Sequence, residues 1–264
     1  MFGAIILLDV PKKEARIGTA HYAIQGGFRG FGMVPPAAWH YVSVQADLDH
    51  VGFWCYLQPK EVVVKVFNDE AQRFEDAAAD VLARYANLAL SGAMSSALIT
   101  YPHANFGPWY GLVQHIPSVD FPPPLHVEDS GTGSRFAKAF QGTHGGDANA
   151  FLAEFQYAFV NWYVTQASAS SDEAAFARWR HLLLAVYNAG ESSIGEAGDL
   201  LPRLVDTLLR QFDLLGDEWF APDGFLAGAQ AGYLVEDMTD TGVPDLVEKG
   251  AQLSAYIQKR QSRL

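Results

Sequence analysis

Apolar and polar positions change their period twice along this chain. Residues 4–8, 39–44, 51–57 and 61–67 are short runs of β-branched and aromatic side chains separated by turn residues. Such side chains suit a pleated, half-buried surface, so the four runs read as strands. Gln58 and Pro59 between the last two runs predict a tight hairpin, and Gly26, Gly27, Gly30, Gly32, Pro35 and Pro36 mark an irregular, turn-rich stretch. An antiparallel sheet or sandwich is expected. From Asn68, read as an N-cap, the period lengthens: Phe74, Ala78, Val81, Leu82, Tyr85 and Leu88 recur every three or four residues before Gly92, which predicts one amphipathic helix.

The next stretch holds Pro102, Pro108, Pro117, Pro122, Pro123, Pro124, Gly131, Gly133, Gly142, Gly145 and Gly146, too many breakers for long regular elements. Beyond Asp147, a candidate cap, the period is helical throughout. Phe151, Phe155, Ala158, Phe159 and Trp162 share one face. Ser170 and Glu173 have capping-box spacing ahead of a stripe of Phe176, Trp179, Leu183, Val186 and Tyr187, with Gly190 as a stop. Residues 199–215 repeat the design around Leu201, Leu204, Val205, Leu208, Phe212 and Leu215, and 223–236 and 244–260 add two more helices. The expected fold is α+β: an antiparallel β-rich, sandwich-like domain with one or more helices over 1–117, a Pro/Gly-rich linker over 118–147, and an all-α domain over 148–264. Short connections predict consecutive antiparallel helix neighbours.

Composition sharpens this picture. The 264 residues are 49% hydrophobic and 18% charged, well outside the signature of disorder. A net charge of −12 excludes a general nucleic-acid surface, because counterion release requires an excess of cations. The single cysteine, Cys55, forms no intramolecular disulfide and sits in an apolar run where a thiol acts as a small hydrophobe. The apolar opening, residues 2–8, is interrupted by Asp9 and Pro11 and lacks a basic leader, so neither a signal peptide nor a membrane span is expected there.

No G-x-S-x-G elbow, Walker loop, H-E-x-x-H or C-x-x-C occurs. Gly131-Thr132-Gly133-Ser134 lacks the preceding strand and following lysine of a phosphate loop and reads as linker. No two of the eight histidines stand three or four residues apart on an expected helix, so no metal set is expected, and no cofactor. His40 at a strand start either fixes conformation through a hydrogen bond or acts as ligand or general base. Arg178, Arg180 and His181 surround Trp179, whose stripe reads as core; Lys259, Arg260 and Arg263 either terminate the last helix or form a docking patch for an acidic partner. Ser168, Ser170 and Ser171 lie in an expected connection, where capping and solubility compete with phosphorylation.

Several blocks are more specific. Gly3-Ala4, Asp9-Val10-Pro11-Lys12, Ile17-Gly18, Phe28-Arg29-Gly30, Met33-Val34-Pro35-Pro36 and His40-Tyr41 resemble the opening of the cistron-splicing factor family. The resemblance continues through Gly52-Phe53, residues 62–67, Tyr101-Pro102, Trp109 and Leu112, and residues 152–160 and 176–183 are similar to paired helices of the family's C-terminal domain. The connection at 118–147 is shorter than the family's usual one, and a long C-terminal docking extension is not expected after the last helix.

The resemblance implies a non-enzymatic assembly chaperone of a spliceosomal small nuclear ribonucleoprotein. It implies binding to the RNase H-like and Jab1/MPN-like domains of the large scaffold protein, blocking premature RNA and helicase binding, with residence in cytoplasm and nucleus. No direct contact with nucleic acid or membrane is implied. Phe28, Arg29, Gly30, Met33, Pro35 and Pro36 form the densest match and either meet the partner or set domain geometry. An adaptor with a different partner and a hydrolase built on His40 or another isolated histidine are the competing expectations.

Overall fold

The computed structural model describes residues 1–11, 13–47, 49–126, 134–166 and 171–264. Lys12, the Gly131-Thr132-Gly133 run, and the Ser168 and Ser170 capping and phosphorylation candidates lie outside these residues. The chain divides into two units. One comprises Met1–Gln114 with Tyr163–Asp172, the other His115–Trp162 with Glu173–Leu264.

The first unit is built on nine strands among the described residues: β1 (Gly3–Leu8), β2 (Glu14–Ile17), β3 (Ala20–Ala23), β4 (Gly30–Val34), β5 (Ala38–Ala46), β6 (Asp49–Leu57), β7 (Val62–Asn68), β8 (Arg73–Asp76) and β9 (Ile99–Thr100). They form a five-stranded sheet, β8-β7-β1-β4-β9, and a four-stranded antiparallel sheet, β3-β2-β5-β6. The larger sheet is mixed, since β1 runs parallel to β7 and β4 parallel to β9. All six residues of β1 are buried, which explains its unbroken apolar run. Ile5 and Leu7 enter a core shared with Val42, Val44, Leu57 and Phe67. Ala4, Ile6 and Leu8 face the other way, toward Val81, Tyr85 and Leu88 of α1 (Ala79–Leu90). α2 (Phe106–Val113) packs on β5 through Trp109, whose indole N–H donates to the Trp39 carbonyl at 2.7 Å.

Three expectations for this unit need correction. Gln58 and Pro59 do form a turn, in which the Gln58 N–H donates to the Glu61 carboxylate at 2.6 Å and Lys60 takes a φ of 64°. It is not a hairpin, because β6 stays with β5 while β7 crosses to pair with β1. The helix expected from Asn68 begins only at Ala79. Asn68 caps a turn instead, its Oδ1 accepting the Ala71 N–H at 2.9 Å, and Phe74 lies opposite Phe67 across the β7–β8 pair. The irregular stretch around residues 26–36 contains β4, which lies between β1 and β9.

In the second unit, α3 (Arg135–Ala137) runs into a π-helical turn, Lys138–Thr143, that buries Phe136, Ala139 and Phe140. That part of the expected 118–147 linker is therefore packed structure, held by aromatic side chains among its glycines. α4 (Ala148–Thr165) starts where Asp147 Oδ1 accepts the amides of Asn149 and Ala150, as the sequence predicts. α5 (Glu173–Tyr187), α6 (Glu191–Glu196), α7 (Leu200–Phe212), α8 (Ala229–Asp240) and α9 (Pro244–Gln261) follow. α8 starts later than expected because residues 217–228 form turns around buried Phe220 and Leu226. Packing departs from chain order: α9 lies against both α7 and α8, and α5 against α8. Trp179 is fully buried among Phe159, Trp162, Phe176 and Phe225, so its stripe is core.

Candidate functional site

The expected partner-binding residues fall into one group in each unit. In the first unit they bracket β4. Phe28 is half-buried with its ring edge-on to Phe31 at 5.7 Å, while Arg29 is exposed and its backbone is tied on both sides, N–H to Ala97 and carbonyl from the Leu7 amide. Gly30 is buried at φ +122°, and a Cβ there would come within 2.0 Å of the Ile5 carbonyl oxygen, so glycine is required by close backbone approach. Met33 is exposed at 49% with φ 57°, Pro35 is buried, and Pro36 is half-buried. Phe28 and Met33 thus face separate surfaces. Phe28 lines a groove of about 410 Å³ with Ile24, Gly27 and Ala97, and Met33 lines one of about 280 Å³ with Phe2, Leu90 and Leu98. Phe2 and Leu90 are themselves exposed, and sequence periodicity had singled out neither.

His40 holds this region together rather than opening it to chemistry. Its Nε2–H donates to the Pro35 carbonyl at 2.8 Å, and its ring sits against Tyr101 and Phe106. Burial lowers its pKa to about 4, partly offset by that carbonyl, so the ring is neutral at physiological pH. Its Nδ1 is buried without a protein partner. Burial pushes the Cys55 thiol up to about 12, which leaves it protonated and inert.

In the second unit Lys259 and Arg263 are exposed and Arg260 is not. Arg260 stacks over Phe220 at 4.3 Å, pairs with Asp217, and donates to the Phe212 carbonyl at 2.8 Å and to the Leu215 carbonyl. These are terminal carbonyls of α7 and the turn after it, so Arg260 caps a neighbouring helix and is withdrawn from any docking patch.

A second constellation grows out of α4. Residues 151–160 are buried on every side, yet Glu154 and Gln156 interrupt the apolar sequence, and buried polar groups require partners. Gln156 Oε1 accepts the His115 amide at 2.8 Å. Glu154, with a side chain 1% exposed, faces Arg178, His126 and His144. Its Oε1 accepts from Arg178 Nε at 2.8 Å and from the His126 amide at 2.7 Å, and its Oε2 lies 3.0 Å from His126 Nδ1 and 2.8 Å from His144 Nε2. Burial opposes the charge, but the His144 and Arg178 groups hold the carboxyl at about 2. No metal set was expected because these ligand types come from a loop, a turn after the π-helical segment and the middle of a helix, and only the fold brings them within 4.8 Å of one another.

Residues 2–120 match the family described as the AAR2 N-terminal domain. Over 117 residues the chain is 31% identical to the Protein AAR2 homolog of Caenorhabditis elegans, a match covering 43% of this chain and 32% of that protein. The chain therefore aligns with about a third of the relative's length, and the helical blocks at 152–160 and 176–183 lie beyond the family match over residues 2–120.

Proposed function

From the match of residues 2–120 to the AAR2 N-terminal domain, we propose that the chain is an AAR2-type splicing factor acting as a non-enzymatic assembly chaperone for a spliceosomal ribonucleoprotein. It binds the RNase H-like and Jab1/MPN-like domains of the large scaffold protein and delays RNA and helicase binding, in the cytoplasm and then the nucleus. The observation that carries the reading is the match over residues 2–120, which spans both sheets of the first unit together with α1 and α2. Two physical features support it. His40 and Cys55, the two side chains with nucleophile or base potential singled out in the β-rich unit, are buried and occupied or inert. The acidic chain complements a basic RNA-handling surface, which favours association without competing for RNA.

Isothermal titration calorimetry of the full chain against each scaffold domain tests the reading. Binding at micromolar or tighter affinity, weakened by charge substitution at exposed Arg29 or by Met33→Asp, is the expected result. Absence of heat with both domains, while the chain remains folded, overturns it and leaves an adaptor with a different partner.

A further inference from the structure

We propose that His126, His144 and Glu154 form a binding site for one divalent transition-metal ion of the zinc class. Two imidazole nitrogens and one carboxylate oxygen converge there, a donor set that zinc accepts with a fourth position left for water. The mix of nitrogen and oxygen selects against calcium and magnesium, which take oxygen shells.

The geometry at His144 separates a metal site from a simple hydrogen-bonded cluster. Its side chain is 4% exposed and its Nε2 lies 2.8 Å from Glu154 Oε2. Close as they are, the pair does not meet the geometric criteria for a hydrogen bond, so the contact acts on the Glu154 charge without a well-formed donor–acceptor bond. Two ligands bound tetrahedrally at about 2.0–2.1 Å to one ion stand about 3.3 Å apart, with both lone pairs aimed at the ion instead of at each other, so the 2.8 Å contact must open by about half an ångström when an ion enters. Close approach without alignment is what such a shared third atom requires. A cluster built only for hydrogen bonding would turn the ring to point N–H at the oxygen, since an unmade buried bond costs about 1–3 kcal/mol.

The surroundings supply the outer layer of a metal site. Arg178 Nε and the His126 amide donate to Glu154 Oε1, and Arg178 Nη2 donates at 3.2 Å to Oε2, the oxygen that also faces His126 Nδ1 at 3.0 Å and His144 Nε2 at 2.8 Å. Ligating carboxylates are commonly fixed in this way by a hydrogen-bonded partner. Arg178 also brings a positive charge to the same carboxylate, which opposes a second cation and places the expected affinity below that of a structural thiolate site. The His126 and His144 rings meet nearly edge to face, 5.4 Å apart at 84°. The proposal is independent of any scaffold binding by the first unit.

Cobalt(II) titration of the chelator-treated full chain, followed by visible absorption, is the test. Tetrahedral d–d bands that saturate at one equivalent and are bleached by Zn2+ are expected. His144→Gln and His126→Gln, checked for folding by circular dichroism, should each weaken Co2+ binding by about 100-fold or more, since loss of an outer-layer partner alone costs about 10–100-fold. Absence of saturable bands in the wild-type chain overturns the proposal, as do bands equally strong in both folded variants. The wild-type spectrum and stoichiometry decide the question even where a variant fails to fold.

Discussion

His40 offers the most quantitative check on the first unit. Its folded pKa is about 4, against about 6.5 for an exposed histidine, because burial disfavours the imidazolium. The unfolded chain therefore binds a proton between these values that the folded chain refuses. Stability is complete above the unfolded pKa and falls as pH drops through 6.5 toward 4, levelling off below. At pH 4.5 the proton linkage at this one residue amounts to about 2–3 kcal/mol, from 1.36 kcal/mol for each unit separating the two pKa values. The perturbation is His40→Gln, which removes the titration. Urea midpoints of wild type and variant at pH 7 and pH 4.5 give the linkage as a difference of differences, which cancels the contributions of His50, His115 and the carboxylates. The variant should lose less stability on acidification by that amount, despite being weaker at pH 7, where its bond to Pro35 is altered. In parallel, the His40 ring signals in NMR should stay in their neutral positions down to pH 5. A ring that titrates at 6 or above, or equal acid losses in both proteins, would refute the reasoning.

Gly30→Ala forces a side chain into φ +122° and against the Ile5 carbonyl, so denaturant unfolding should show a loss of at least about 2 kcal/mol; a stable variant that merely binds partner less well would identify Gly30 as a contact. Arg260→Met strands the Phe212 and Leu215 carbonyls and Asp217, and should cost about 2–4 kcal/mol by thermal or urea melting, whereas Lys259→Ala and Arg263→Ala should stay within about 0.5 kcal/mol. Trp109→Phe deletes the donor to the Trp39 carbonyl and opens space beside Trp54, with an expected loss of about 2–4 kcal/mol in the same assay. Cys55 should react with a thiol reagent only at the rate of unfolding; fast labelling of the folded chain would contradict its burial.

The strands that were legible in the sequence are those with long apolar runs: β1, β5, β6 and β7. β2 and β3 escaped because they are four residues each and carry charged or polar side chains, Glu14, Arg16 and His21, on a half-exposed ribbon. β4 escaped because Gly30 and Gly32 read as turn residues, whereas here they let the strand approach β1 and Leu98 closely. Phe74 fits a helical and a strand period equally well over so short a run, and its cross-strand partner Phe67 decided the matter. In the helical part, the Asp147 cap located the start of α4 and apolar stripes located α4, α5, α7 and α9, since their periods are long. The order in which they pack was not legible, because α9 chooses α7 through Arg260, a residue whose charge suggested surface. The Glu154 cluster likewise had no signature in spacing. Its trace in the sequence is a glutamate standing in an otherwise buried apolar helix, which demands partners without naming them.

β1 lies at the middle of the larger sheet, between β7 and β4, and carries both faces of the β-rich core. Its parallel partner follows only after β2 through β6, so Ile5 meets Val63 across the whole intervening chain. Closing that loop costs entropy before any ladder bond repays it, which makes this unit a slow folder by topology. A ribosome releases β1 well before β7 exists to receive it. During that interval β4 can pair with one edge of β1, but its β7 edge and the face later covered by α1 stay open, which makes it a natural first client for a nascent-chain chaperone.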